Sequence, residues 1–406
     1  MTSPSGPLAG VLVLDLSRVL AGPWATQLLA DLGADVIKVE RPGAGDDTRG
    51  WGPPFTTKRD GSRGDAAYYF CANRNKRAIT VDMGRSEGAD LLRRLAAKAD
   101  VAVENFRTGA LAKYGLDYPS LAALNPRLVY CSITGFGHTG PYAQRAGYDY
   151  VIQAMGGMMS ITGEPDGEPM RSGVAVADLA TGLYASNAIL AALLHARATG
   201  KGQHIDMALF DAQAAMLANQ ATNYFVSGKA PGRTGAGHPN LAPYQPFETS
   251  DGWVVIAVGA DGQFRALCEA AGDPALGGDP RYATNAQRVA RREELCARVA
   301  ELIRARSTDD WVATLEAAGV PCGPINTIDR VFADPQAEAR GFTVEQARED
   351  LDAPVRTIAS PIRLSETPVA YRRPPPELGA DTEEVLREAL GLSGEEIDRL
   401  RAGGVV

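Results

Sequence analysis

The stretch from Val11 to Glu40 constrains this chain more than any other. Val11-Leu-Val-Leu-Asp-Leu16 is an aliphatic run broken only by Asp15, the pattern of a buried strand. Gly22-Pro23 then opens a helical pattern in which Trp24, Leu28, Leu29 and Leu32 recur on one face, and Gly33 stops it. Ala34 to Glu40 is a second buried strand. Strand, helix and strand in so short a span form one βαβ unit. Such a unit closes in a parallel sheet with a right-handed crossover.

Further units repeat the theme. A strand over Ala78–Met83 leads to a helix over Glu87–Ala97 and a strand over Val101–Glu104, and another strand is expected over Leu128–Thr134. Between them, Arg41–Gly64 is rich in Gly, Pro and charge and reads as a long surface loop, a kind of segment often kept for function. A long helix is expected from Asp178 to His195, with Leu179, Leu183, Ile189, Leu190 and Leu193 on its apolar side. A strand over His204–Phe210 and a helix over Asp211–Phe225 follow. The Gly- and Pro-punctuated stretch Val226–Asn240 marks a boundary. The expected organisation is a large domain begun by residues 1–225, a small domain over 226–330, and a return to the large domain over 331–406. Fold class is therefore α/β: a Rossmann-like large domain with a parallel sheet, plus a smaller α/β domain.

Composition narrows the function. The chain has 406 residues, 45% of them hydrophobic, with 41 Lys+Arg against 49 Asp+Glu and a net charge of −8. That balance argues against gripping nucleic acid by general basicity, while leaving room for one local basic pocket. The five cysteines and four histidines are scattered, with no CxxC or HExxH, so no metal site is expected. No apolar run approaches the ~18 residues of a membrane span. MTSPSGPLAG lacks the basic and apolar regions of a signal peptide, and the reading is a cytoplasmic enzyme.

Local motifs leave alternatives open. Gly135-Phe-Gly-His-Thr-Gly140 matches GxGxxG formally, but Pro141 follows where a helix should open, which disfavours a dinucleotide loop. Arg41 ends the second strand, where a doubly wound sheet faces its ligand crevice, and could meet a phosphate or be a solvated strand end. Arg74, Lys76 and Arg77 have the same standing. Asp178 heads the long helix. It reads either as an N-cap or as a carboxylate nucleophile at the positive helix end. His204 sits in an alternating strand and reads as structural. His138 and His238 lie in Gly-rich loops, where they could touch a ligand.

Longer blocks decide between these readings. The run Val19-Leu-Ala-Gly-Pro-Trp through Glu40-Arg-Pro-Gly-Ala-Gly-Asp-Asp-Thr-Arg49 resembles the opening of the class III CoA-transferases, the CaiB/BaiF family. Asn73–Arg77, Val103-Glu-Asn-Phe106, Ser132–Gly137, Arg145-Ala-Gly-Tyr-Asp149, Ala177-Asp-Leu-Ala-Thr-Gly182, Thr199–Gln203 and Gly319–Pro324 follow in the family's order. The resemblance covers nearly the whole chain. It implies an interlocked homodimer, no permanently bound cofactor, and coenzyme A thioesters as substrates.

The resemblance also implies roles. Asp178 stands at the family's nucleophile, the aspartate of Ala-Asp-x-x-x-Gly. Arg41 matches the residue at the adenine, Val81, Asp82 and Met83 match a backbone wall, and Asn105 and Phe106 match the pantetheine and phosphate region. Arg107, Lys113 and Arg145 lie in or near those blocks. Gly135 and Gly137 are expected to offer backbone amides to a developing oxyanion. The racemases of this family pair the aspartate with a histidine thirty residues earlier, where this chain has Tyr148, a poor base at neutral pH. Transfer is therefore favoured over racemisation. Several blocks look most like succinyl-CoA:glutarate CoA-transferases. A dicarboxylate acceptor needs a cation for its distal end, and Arg171 is the candidate, with His238 and Asn240 as further acceptor-side residues.

Overall fold

In the computed structural model, residues 6–406 are described. They divide into two compact units: residues 6–158, 172–221 and 339–406 form one, and 159–171 with 222–338 form the other.

The first unit is built on six parallel strands: β1 (Leu12–Asp15), β2 (Asp35–Glu40), β3 (Lys76–Thr80), β4 (Val101–Glu104), β5 (Val129–Thr134) and β6 (His204–Ala208). Their order across the sheet is β3-β2-β1-β4-β5-β6. The chain winds outward from β1 to β3, then crosses to the other side of β1. The strand order reverses between β1 and β4, the place where an open α/β sheet leaves a crevice at its carboxyl edge.

Helices cover both faces. On one, α1 (Ala21–Asp31) supplies Ala25, Leu29 and Ala30 to a core with Val13, Val36, Val103 and Ile133. On the other, Leu92 and Leu95 of α2 (Ser86–Ala96) pack with Leu14, Ile37 and Ile79, joined by Val385 from the chain's end. The carboxyl-terminal segment is tied in by hydrogen bonds from Ala78 N–H to Asp381 (2.8 Å) and from Asp82 N–H to the Val405 carbonyl (2.8 Å).

Two further helices complete the unit beside the sheet's carboxyl edge. Helix α3 (Asp149–Met155) precedes the long α4, which runs over Val176–Thr199 and ends at Gly200 with φ 75°. By length and composition α4 is apolar enough to cross a membrane, contrary to the sequence expectation. Its residues Ala177, Ala185, Ile189, Ala192, Leu193 and Ala196 are instead buried in the sheet's helical layer beside α1. Of the expected apolar side, Ile189 and Leu193 are buried and Leu190 packs against the same core, whereas Leu183 is 55% exposed; alanines complete the inward face where α1 approaches.

The expected helix over Asp211–Phe225 is two helices, Leu209–Ala215 and Ala218–Ser227, broken where Ala218 takes φ 42°. Arg41–Gly64 is less irregular than its composition suggests. It carries a short 3₁₀ turn over Asp47–Gly50, and Phe55–Thr57 pairs with Arg63–Ala66.

The second unit has an antiparallel sheet of β7 (Tyr244–Glu248), β8 (Trp253–Ala257) and β9 (Cys322–Pro324), with β8 in the centre. Its core gathers Phe247, Val254, Ile256, Phe264, Leu295 and Trp311.

Candidate active site

The loops at the carboxyl ends of β1, β2, β4 and β5 enclose two cavities. One, of about 210 Å³, is lined by Arg18 to Ala21, Asn105 to Thr108, Ile133 to Gly135, Ala143 to Tyr148, Asp178 and Leu209. The other, of about 410 Å³, is lined by Arg41, Val81, Asp82, Met83 and Lys113, together with Lys38, Asp46 and Tyr114. Arg18 and Phe106 line both, the guanidinium 5.9 Å from the ring centroid. They stand between an outer chamber, whose lining mixes Arg18, Lys38, Arg41 and Lys113 with Glu40, Asp46, Asp47 and Asp82, and an inner one that holds a carboxylate.

That carboxylate is Asp178, in the first turn of α4. It is not the helix cap. The amide groups of Ala177 and Asp178 donate to one oxygen of Asp149, at 2.8 and 3.3 Å. Asp149 is held in turn by the fully buried Gln153, whose amide donates to the other oxygen at 2.7 Å and whose carbonyl accepts from Ser172 N–H at 2.9 Å. The capping duty thus falls on a residue outside the helix. Among the described residues, the Asp178 side chain has no hydrogen-bond partner, so its oxygens are free to face the cavity. Burial, with the Asp149 charge added, pushes its carboxyl up to about 7.

Gly182 explains how the inner chamber closes. It lies one turn after Asp178, where a β-carbon would come within 2.8 Å of the Ala21 carbonyl and 2.9 Å of Trp24. Glycine therefore lets the amino-terminal ends of α1 and α4 approach closely, and Leu20 and Ala21 line the chamber with Asp178. The N-cap of α1, Leu20, offers no side-chain hydrogen bond to that helix end.

The remaining candidates separate cleanly. Asn105 locks the β1–α1 turn rather than pointing freely outward: its amide donates to the Arg18 carbonyl (2.6 Å) and accepts from Arg18 N–H (3.0 Å). Arg107 and Arg145 line the inner chamber, Arg145 lying 4.5 Å from the Tyr142 ring centroid and 5.3 Å from that of Phe136. Tyr148 lines it too, and is 62% exposed. Lys113, in the outer chamber, sits 4.7 Å over Tyr114.

Gly135 lines the inner chamber, in close contact with Gly147. Gly137 N–H is taken by Thr134 Oγ1 at 2.9 Å, so that amide is not offered to a substrate. Arg171, His238 and Asn240 belong to the second unit. There His238 Nδ1 accepts from Asn240 N–H at 3.1 Å.

The cluster Arg74, Lys76 and Arg77 is not a ligand site. Arg74 grips Asp31 through two bonds (2.6 and 3.0 Å), fully buried Lys76 pairs with Asp15 (3.1 Å), and Arg77 pairs with Asp35. His204 is structural as expected, 2.9 Å from Ser132 Oγ and stacked on Tyr118.

Sequence reasoning missed Asp149, although it quoted the block containing it. Asp149 and Asp178 are 29 residues apart, and only the packing of α3 against α4 brings them together. Glu104 was also missed. Nearly buried at the end of β4, it accepts from Phe106 N–H (2.8 Å), and burial pushes its carboxyl up to about 7.

A carboxylate without hydrogen-bond partners among the described residues, in a chamber also lined by Arg18, Arg107 and Arg145, suits acyl chemistry on an anionic carrier. Known proteins agree. A protein of Agrobacterium fabrum named succinate–glutarate CoA-transferase is 54% identical over 388 residues, covering 96% of this chain and 97% of its own. A human protein named succinyl-CoA:glutarate CoA-transferase is 44% identical, covering 98% of this chain and 90% of its own. The crystal structure of a CaiB/BaiF family protein from Brucella suis superposes with a TM-score of 0.85 at 53% identity, over 95% of this chain and 100% of that one. The sequence pattern of CoA-transferase family III matches residues 8–382, and the chain belongs to that family.

Proposed function

We propose that this enzyme moves coenzyme A from succinyl-CoA to a dicarboxylic acid such as glutarate, with Asp178 as the covalent nucleophile. The observation that carries the reading is the free Asp178 carboxylate at the inner end of two chambers joined at Arg18 and Phe106. The names of the Agrobacterium fabrum and human relatives described above support the choice of acids.

The outer chamber suits the nucleotide half of the carrier. Arg41 and Lys113 offer charge to its phosphates, and Val81 to Met83 supply a wall. The pantetheine arm passes Arg18, Asn105 and Phe106 to reach the inner chamber. There an Asp178 oxygen attacks the thioester carbonyl. The C–S bond breaks, leaving an aspartyl–succinyl anhydride and the CoA thiolate. The thiolate attacks the Asp178 carbonyl, succinate leaves, and Asp178 carries CoA as a thioester. The acceptor carboxylate then runs the two steps in reverse. Each step exchanges one activated acyl bond for another. The positive end of α1, which no side chain caps, favours negative charge where the oxyanion forms, together with Gly135. Arg171, His238 and Asn240 remain the acceptor-side candidates, and the enzyme is read as a cytoplasmic, interlocked homodimer.

Purified protein incubated with succinyl-CoA and a series of dicarboxylates should yield new CoA esters by mass spectrometry. Asp178→Ala should lose transfer while CoA binding persists, and borohydride or hydroxylamine trapping should mark the Asp178 peptide. Full turnover by that variant, or a label elsewhere, refutes the assignment. Loss of α-deuterium from a branched acyl-CoA without any transfer would favour racemisation instead.

A further inference from the structure

The turn between β1 and α1 contains a backbone conformation that its residue type disfavours. Val19 has φ 69°, in the left-handed region. A β-branched side chain there is a genuine outlier, and such strain persists only where surrounding structure holds it. The surroundings are unusual. No neighbouring strand pairs with residues 17–19, yet five of their backbone polar groups are held by side chains. Asp15 accepts from Ser17 N–H, Lys38 donates to the Ser17 carbonyl (3.1 Å), and Asn105 takes both groups of Arg18. Asp46 accepts from Val19 N–H, with both oxygens at 3.3 Å.

Asp46 is fixed for this task. It is 3% exposed, pairs with fully buried Lys38 at 2.8 Å, and accepts from Thr48 N–H and Oγ1 at 3.0 and 2.8 Å. Burial alone would raise its carboxyl, but Lys38 outweighs that and holds it at about 2. Val19 leads directly into Leu20 and Ala21, which line the chamber of Asp178.

We propose that Asp46, backed by Lys38, is a positioning residue that holds Val19 in its left-handed conformation and so aims the start of α1 at Asp178. The proposal rests on Asp178 as the nucleophile. It predicts a specific rescue. Asp46→Asn loses the charge that anchors the turn, and kcat falls by about tenfold to a hundredfold, the scale of a misplaced reacting group. Glycine adopts φ 69° without strain. Adding Val19→Gly to Asp46→Asn therefore restores at least tenfold of kcat, and the glycine gains more there than in the wild-type background.

The experiment measures kcat and KM for succinyl-CoA in all four backgrounds of this cycle. Wild-type turnover and the Asp178→Ala control, run first, establish the reaction itself, so failure of that reading shows before the cycle begins. If Asp46→Asn does not accumulate as folded protein, Asp46→Glu keeps the charge beside Lys38, displaces the acceptor, and should show the same dependence on glycine. A loss confined to KM, or a kcat that glycine fails to recover in either background, overturns the proposal.

Discussion

Replacing Asp178 with asparagine should make the protein more stable while abolishing transfer. The structure shows why. The carboxyl sits half-buried with no hydrogen-bond partner among the described residues and faces the charge of Asp149, so ionising it in the folded state is costly. A group moved from an ordinary 3.8 to about 7 carries about 4 kcal/mol of unfavourable ionisation once both folded and unfolded forms are charged. One edge of the group is open to the chamber, and solvent screening reduces this to about 2 kcal/mol.

The sign follows from the raised folded value. Below about pH 4 the carboxyl is protonated in both states and nothing is lost. Between about 4 and 7 the unfolded chain ionises first, and stability falls as pH rises. Above about 7 the penalty is constant. Asparagine never pays it. In calorimetry, Asp178→Asn should therefore melt about 4 °C above wild type at pH 8, on the usual scaling for a large domain. At pH 5 the gain should be less than half as large. A gain independent of pH, or a variant less stable at pH 8, would refute the reasoning.

Three further outcomes test the site. The acid limb of kcat/KM should fall near pH 7, where Asp178 gains its proton. Asp149→Asn should move that limb to lower pH by removing the neighbouring charge, whereas Glu104→Gln should leave it in place. Gly182→Ala should cost about 1–3 kcal/mol in denaturant unfolding and lower turnover, because its β-carbon would meet the Ala21 carbonyl at 2.8 Å. Lys113→Ala and Arg41→Ala should each raise KM for acyl-CoA by about tenfold, and added salt should shrink the difference from wild type.

Much of this protein is legible in its sequence because much of its structure is local. Strand and helix periods over Val11–Glu40 announce a parallel sheet, and the sheet's carboxyl edge follows from that alone. The Ala-Asp-x-x-x-Gly spacing puts Asp178 and Gly182 on one helical face, so even the pairing of the proposed nucleophile with the close approach is encoded within one turn. What the spacing cannot say is which neighbour Gly182 admits. That depends on α1 lying beside α4, a consequence of strand order.

Other features needed the whole fold. Local rules name Asp178 as a helix cap, and the cap turns out to be Asp149, which frees Asp178 for chemistry. Lys76 and Arg74 look like a basic surface patch until the fold buries them against Asp15 and Asp31. The left-handed Val19 leaves no trace in composition, since valine is the residue least suited to announce it.

The sequence by itself determined the doubly wound sheet, the family and the aspartate proposed as nucleophile, because each is written in short-range periodicity or in contiguous motifs. The tertiary structure alone decided that this aspartate is uncapped, unpaired and hard to ionise. Those properties come from burial and from charges far away in sequence, and such neighbours are chosen only when helices pack across a sheet.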